Sequence, residues 1–189
     1  MNMLLLTHGA GSNRNAPLLI ALANAFTEHR IEVLRYDLPF RQARAHGPPR
    51  PADAAGDREG LRREITRMRE KHPGQVWVGG HSYGGRQASM LAAEIPGLAD
   101  RLLLLSYPLH PPGKPGQLRT AHFPKLQTPA LFVHGSKDPF SSTEEIKSAI
   151  ALIPAPVRLL EIDSAGHDLG RNHAPLAEKI AAAFLELGG

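Results

Sequence analysis

Six short apolar runs recur along this chain, and a longer amphipathic stretch separates nearly every pair of them. The runs are MLLLT (3–7), EVLRY (32–36), QVWVGG (75–80), RLLLLS (101–106), ALFVHG (130–135) and VRLLEI (157–162). Most are nearly continuous in Leu, Val or Phe, as strands covered on both faces require; a strand with one wet face would alternate. The amphipathic stretches read as helices over 16–30, 58–72, 83–94, 142–153 and 175–187. Ser141 or Ser142 can cap the fourth, and Pro175 suits the first turn of the fifth. Strand and helix alternating in this way predict an α/β protein, with right-handed crossovers joining a parallel sheet into a three-layer αβα sandwich. The 189 residues show neither repeat nor linker, so one domain over 1–189 is expected.

Composition removes several function classes. There is no cysteine, which excludes disulfides, thiolate nucleophiles and Cys-based zinc sites. No apolar run approaches the roughly 20 residues that span a bilayer. The start, MNMLLLTHGAG, lacks the basic and long apolar regions of a signal peptide. A cytoplasmic protein with no membrane partner is expected. The net charge of +4 raises the question of nucleic acid. The basic residues, however, interleave with acids, as in DREGLRREITRMREKH, and read as a solvated helix face. Aromatics at 5% leave little for a base-stacking platform, so no nucleic-acid partner is expected.

Two segments rich in Pro, Gly and basic residues interrupt the rhythm, 39–57 and 107–126. Both follow strands and so leave the C-terminal edge of the sheet, where open α/β sheets bind ligands. They are expected as loops over a site. Arg41, Arg44, Arg50 and Lys114 lie on them, either as solvated loop charge or as a basic rim to its mouth.

The chemistry concentrates at Gly80-His81-Ser82-Tyr83-Gly84, a G-x-S-x-G placed between a predicted strand and a predicted helix. A serine on so sharp a corner takes strained backbone angles, and the flanking glycines let strand and helix pass closely. Its hydroxyl would project above the sheet edge, beside the positive end of a helix. A serine hydroxyl needs a base. His167, in AGHDL after the sixth strand, fills that place, with His173 as competitor. An acid must orient the imidazole. Asp138, on the loop after the fifth strand, is the leading candidate, and Asp163 and Asp168 are rivals. The oxyanion donors would be the backbone N–H groups of Tyr83 and of Ala10 in THGAGSN, with Gly9 or Gly11 as alternatives to Ala10. That glycine loop lacks the ending of a P-loop and the third glycine of a dinucleotide fingerprint, so no cofactor is expected. The histidines near strand ends come without a metal-binding motif, so no metal is expected. His8 and His134 are expected to hydrogen-bond within their His-Gly turns.

With HGAG, GHSYGG, HGSKDPF and AGHDL in this order, the chain resembles the α/β-hydrolase superfamily over nearly its whole length. It looks most like the small, lid-poor dienelactone-hydrolase-like branch, and within it the group of testis-expressed and chromatin-complex-subunit hydrolase-like domains. The resemblance implies a sheet of about six strands in order 2-1-3-4-5-6, because two strands that usually precede the oxyanion strand are missing. It implies no cap domain. It gives Ser82, Asp138 and His167 the roles of nucleophile, acid and base, and Ala10 and Tyr83 those of oxyanion donors. The expected activity is that of a serine hydrolase on a small ester or thioester. The alternatives are a catalytically silent binding or scaffold protein and an acyltransferase. The expected partner is a small acyl substrate.

Overall fold

A computed structural model describes residues 1–187; the last two residues of the span read as one domain lie outside the described residues. The chain runs β1 (Met3–Thr7), α1 (Pro17–Glu28), β2 (Glu32–Tyr36), α2 (Pro39–Ala43), α3 (Asp53–Lys71), β3 (Val76–His81), α4 (Tyr83–Glu94), β4 (Arg101–Leu105), a short 3-10 turn (Phe123–Lys125), β5 (Ala130–Gly135), α5 (Thr143–Ile150), β6 (Val157–Ile162) and α6 (His173–Leu185). The six strands form one sheet in the order β2-β1-β3-β4-β5-β6. Every neighbouring pair is parallel. This is the expected α/β architecture and strand order, and among the described residues no cap domain is inserted.

The apolar runs work as strands because alternate residues serve opposite faces. Leu5, Val78, Leu102, Leu104 and Phe132 pack against Leu61 and Ile65 of α3, Leu91 of α4 and Ile146 of α5. Their neighbours Leu4, Leu6, Trp77, Leu103 and Leu131 pack against Leu22 and Phe26 of α1 and Phe184 of α6. Each such side chain, once buried, contributes about 1.5–3 kcal/mol. The edge strands differ from the expectation of burial on both faces. Glu32 of β2 and Arg158 and Glu161 of β6 are exposed, since an edge strand has a neighbour on one side only; their charges also discourage pairing with another chain.

The segment 39–57 corrects the sequence reading. It is only partly a loop: Pro39 opens α2, α3 begins at Asp53, five residues before the expected start, and residues 44–52 between them stay irregular. Tertiary contacts decide this, because Asp57 is fully buried and accepts the Phe40 N–H at 2.9 Å, which ties the two helices together. Segment 107–126 keeps its irregular character. Its ends are anchored by buried Tyr107, Leu109, Phe123 and Leu126. The Tyr107 hydroxyl donates to the Arg119 carbonyl at 2.7 Å. At α5 the capping box is complete, with Ser142 as cap and Glu145 reaching back. Among the described residues, no helix is long and apolar enough to cross a membrane.

Candidate active site

Ser82 stands where the sheet becomes a helix. Its N–H still belongs to the sheet, donating to the Leu105 carbonyl of β4 at 2.8 Å. Its carbonyl already belongs to α4, accepting the Arg86 N–H at 3.0 Å. Satisfying both in one residue forces φ to 51° and ψ to −115°, a region that a residue with a Cβ adopts only under strain. The corner closes because of its glycines. A Cβ on Gly80 would lie 2.4 Å from the Gly85 nitrogen, and one on Gly84 would lie 2.5 Å from the His8 carbonyl oxygen.

Two loops from the far half of the sheet bring the other groups. Asp138 follows β5; its side chain has no exposed surface, and one carboxylate oxygen accepts the Phe140 N–H at 2.9 Å. His167 follows β6. The two loops are stitched together by the Lys137 N–H to the Ala165 carbonyl at 2.8 Å and the Ser164 N–H to Ser136 Oγ at 2.8 Å. His167 Nδ1 donates to Asp138 Oδ2 at 2.8 Å, and its Nε2 lies 2.8 Å from Ser82 Oγ. Asp138 presents only acceptors to the ring, which puts the proton on Nδ1 and leaves Nε2 to accept from the serine. The Phe140 ring lies against the imidazole, with centroids 4.2 Å apart.

The rivals are not part of this line of hydrogen bonds, although Asp168 and His173 line the cavity next to His81. Asp163 and Asp168 are exposed; Asp163 accepts from Ser164 Oγ, and Asp168 accepts the Gly170 N–H. His173 opens α6. Of the basic residues expected near the mouth, Arg41 is buried, Arg44 pairs with Asp53 at 2.6 Å, and Arg50 and Lys114 are exposed. A basic rim built from Arg41 and Arg44 is therefore not what the fold makes.

The loop after β1 passes directly beside the serine, since a Cβ on Gly9 would lie 3.6 Å from Ser82 Cβ. His8 behaves as expected of a His-Gly turn. Its Nδ1 donates to the Gly9 carbonyl at 2.8 Å, and its Nε2 accepts the Leu38 N–H at 3.1 Å. The Ser12 N–H also reaches the Gly9 carbonyl, at 3.1 Å. In a trans peptide the C=O and N–H point opposite ways. Holding the Gly9 carbonyl therefore turns the Ala10 N–H to the other side of the loop. Burial holds His8 below its ordinary pKa, which suits a neutral ring that donates from one nitrogen and accepts at the other. His134 does not follow the same pattern. Both of its ring nitrogens are buried and, among the described residues, without a hydrogen-bond partner.

Two side chains support the site in roles that the sequence alone does not reveal. His81 Nε2 donates to the His167 carbonyl at 2.8 Å, fixing the backbone that carries the base. Burial pushes the His81 pKa down to about 4, so the ring is neutral near pH 7. Tyr83 donates its hydroxyl to Asp57 Oδ2 at 2.6 Å and pins the first turn of α4 to α3. Burial, then this hydrogen bond, raises its pKa above the ordinary value. At the start of α4 the Tyr83 N–H has no carbonyl one turn back to bond, so it is free to meet an anion. Such an arrangement can deliver a serine oxygen to an electrophilic carbon while a histidine holds its proton.

Comparison with known proteins identifies the family and the fold. A family model described as an alpha/beta hydrolase domain matches residues 1–181. The fold is similar to Est1E from Butyrivibrio proteoclasticus, in a structure with ferulic acid bound: TM-score 0.78, 16% identity, 99% of this chain and 89% of that one. It is similar to dienelactone hydrolase from Anabaena variabilis, with TM-score 0.77 and 20% identity over 99% and 87% of the two chains. An alpha-beta serine hydrolase homologue from Coxiella burnetii gives TM-score 0.75 and 20% identity over 96% and 84%. At these identities the likeness to solved structures carries the fold.

Proposed function

The chain belongs to the alpha/beta hydrolase family, and on that premise we propose that it is a serine hydrolase cleaving a small carboxylic ester or thioester through an acyl-enzyme on Ser82. The observation that carries this reading is the unbroken line of hydrogen bonds from Ser82 Oγ through His167 to Asp138. In the first half-reaction Ser82 Oγ attacks the substrate carbonyl carbon, and His167 Nε2 takes the hydroxyl proton. The buried Asp138 carboxylate stabilises the imidazolium and keeps its orientation. The N–H groups of Tyr83 and Ala10 stabilise the tetrahedral oxyanion. Collapse expels the alcohol or thiol, which leaves with the proton from Nε2. In the second half-reaction water attacks the acyl-enzyme, Nε2 takes the water's proton, and the carboxylic acid departs as that proton returns to Ser82 Oγ.

A small substrate is favoured by the cavity beside the site. It has a volume of about 180 Å³ and is lined by Gly9, His81, Leu18 and Leu19 together with Asp168 and His173. That is room for about six groups the size of a water molecule.

The test is a fluorophosphonate probe together with p-nitrophenyl acetate. Stoichiometric labelling of Ser82 is expected, and Ser82→Ala should lower turnover by about a thousandfold or more. Undiminished turnover in Ser82→Ala would sink the reading. A wild-type protein that neither labels nor turns over would favour the hydrolase-shaped binding protein.

A further inference from the structure

Arg41 lies on a segment whose sequence suggests solvated loop charge or a basic rim, yet only 7% of its surface is exposed. Its donors go to backbone carbonyls. Nε donates to Ser12 O at 2.7 Å, one Nη2 hydrogen to Ala10 O at 2.9 Å, the other to Gly47 O at 2.9 Å, and Nη1 to Arg44 O at 3.1 Å. Among the described residues, no carboxylate comes within 4 Å of it to form an ion pair. Its other neighbour is the Phe40 ring, 4.9 Å away. A buried cation without a counter-ion is costly, so four carbonyl dipoles stand in for the missing anion.

Two of those carbonyls belong to the glycine-rich loop between β1 and α1. That loop contains Gly9 and Gly11, and each residue fixed in such a loop costs about 1–2 kcal/mol of backbone entropy. His8 and the Ser12 N–H hold the Gly9 carbonyl from the β1 side. Arg41 holds the Ala10 and Ser12 carbonyls from the α2 side. We propose that Arg41 is a positioning residue for the oxyanion loop: its planar guanidinium clamps the Ala10 and Ser12 carbonyls, which fixes the backbone immediately after the Gly9–Ala10 peptide and so keeps that peptide, whose N–H would meet the acyl oxygen, in the orientation that His8 and the Ser12 N–H give it. This rests on the esterase reading above. Arginine is needed because a rigid fork bridges carbonyls on two segments at once; a lysine ammonium supplies three donors from one point.

The test uses Arg41→Lys, which keeps the charge and loses the fork, and Arg41→Met, which loses both. Turnover of p-nitrophenyl acetate is normalised to active sites titrated with fluorophosphonate, so unfolded protein does not count. For Arg41→Lys, kcat per site should fall about tenfold to a hundredfold, with KM within about threefold. Affinity for an alkyl boronic acid, which forms a tetrahedral adduct on the serine, should fall in parallel. Amide hydrogen exchange at residues 9–12 should speed up. A role confined to stability would lower the melting temperature and leave kcat per titrated site intact, and that result overturns the proposal. Should Arg41→Met fail to fold, Arg41→Lys still decides it. If the wild type shows no Ser82-dependent turnover, the esterase reading falls instead. The clamp is then judged by exchange alone: unchanged protection of residues 9–12 in Arg41→Lys overturns it, and faster exchange supports it.

Discussion

Acid should weaken this fold through His81 before most of its carboxylates protonate. Burial is the main cause that lowers the His81 pKa, from 6.5 to about 4, and the His167 charge works in the same direction; the bond to the His167 carbonyl opposes them. In the unfolded chain the ring has its ordinary value. Between about pH 6.5 and pH 4 the unfolded state therefore binds more protons than the folded state, and stability rises with pH through that window. The contribution is complete above 6.5, is lost as pH falls toward 4, and changes no further below. Each pKa unit is worth about 1.36 kcal/mol, so roughly 3 kcal/mol is at stake, a large part of the 5–15 kcal/mol that holds a typical domain. The measurement is urea unfolding of the wild type and His81→Gln at pH 7, 5.5 and 4. Glutamine keeps an N–H donor for the His167 carbonyl and does not titrate. Other titrating groups are common to both proteins and largely cancel in the difference. The wild type should lose about 3 kcal/mol more than the variant between pH 7 and 4. Equal losses would refute the reasoning, because the ring would then be no harder to protonate in the fold than outside it.

Other perturbations probe the corner and the acid. Gly80→Ala places a methyl 2.4 Å from the Gly85 nitrogen, against about 3.4 Å for ordinary contact, so α4 must shift by about 1 Å. About 1–3 kcal/mol of stability and about a hundredfold in kcat should be lost together; thermal melting and steady-state kinetics check this. Ser82→Gly removes strain of about 1–3 kcal/mol at φ 51° and adds about 0.5–1 kcal/mol of glycine entropy. It should therefore unfold about 1 kcal/mol harder than Ser82→Ala, while both lack activity; calorimetry decides. Asp138→Asn offers His167 Nδ1 an amide in place of the carboxylate, so the wrong tautomer competes. Its kcat should fall about 10⁴-fold with the melting temperature little changed.

Much of this protein is legible without coordinates, and the reason is that the readable features are local. Strand pattern is a matter of neighbours two residues apart, so MLLLT and ALFVHG announced β1 and β5 with their observed ends. The serine corner is equally local: one residue must end a ladder and start a helix, and the glycines around Ser82 mark the place. Asp138 and His167 are legible because a parallel sheet sends every loop after a strand to the same edge, so their positions in chain order already placed them near Ser82. What the sequence could not decide involves partners distant along the chain. The helices in 39–57 exist because Asp57 meets Phe40 and Tyr83. His81 looked like filler between a glycine and the serine until the fold brought it to the His167 carbonyl. Arg41 looked like surface charge, since a lone arginine beside prolines carries no periodic signal. Its burial, and the two glycine-loop carbonyls it meets from about thirty residues away, are products of β1 and β2 lying side by side. Local chemistry determined which groups this chain brings to its sheet edge; only tertiary packing decided which residues hold them still.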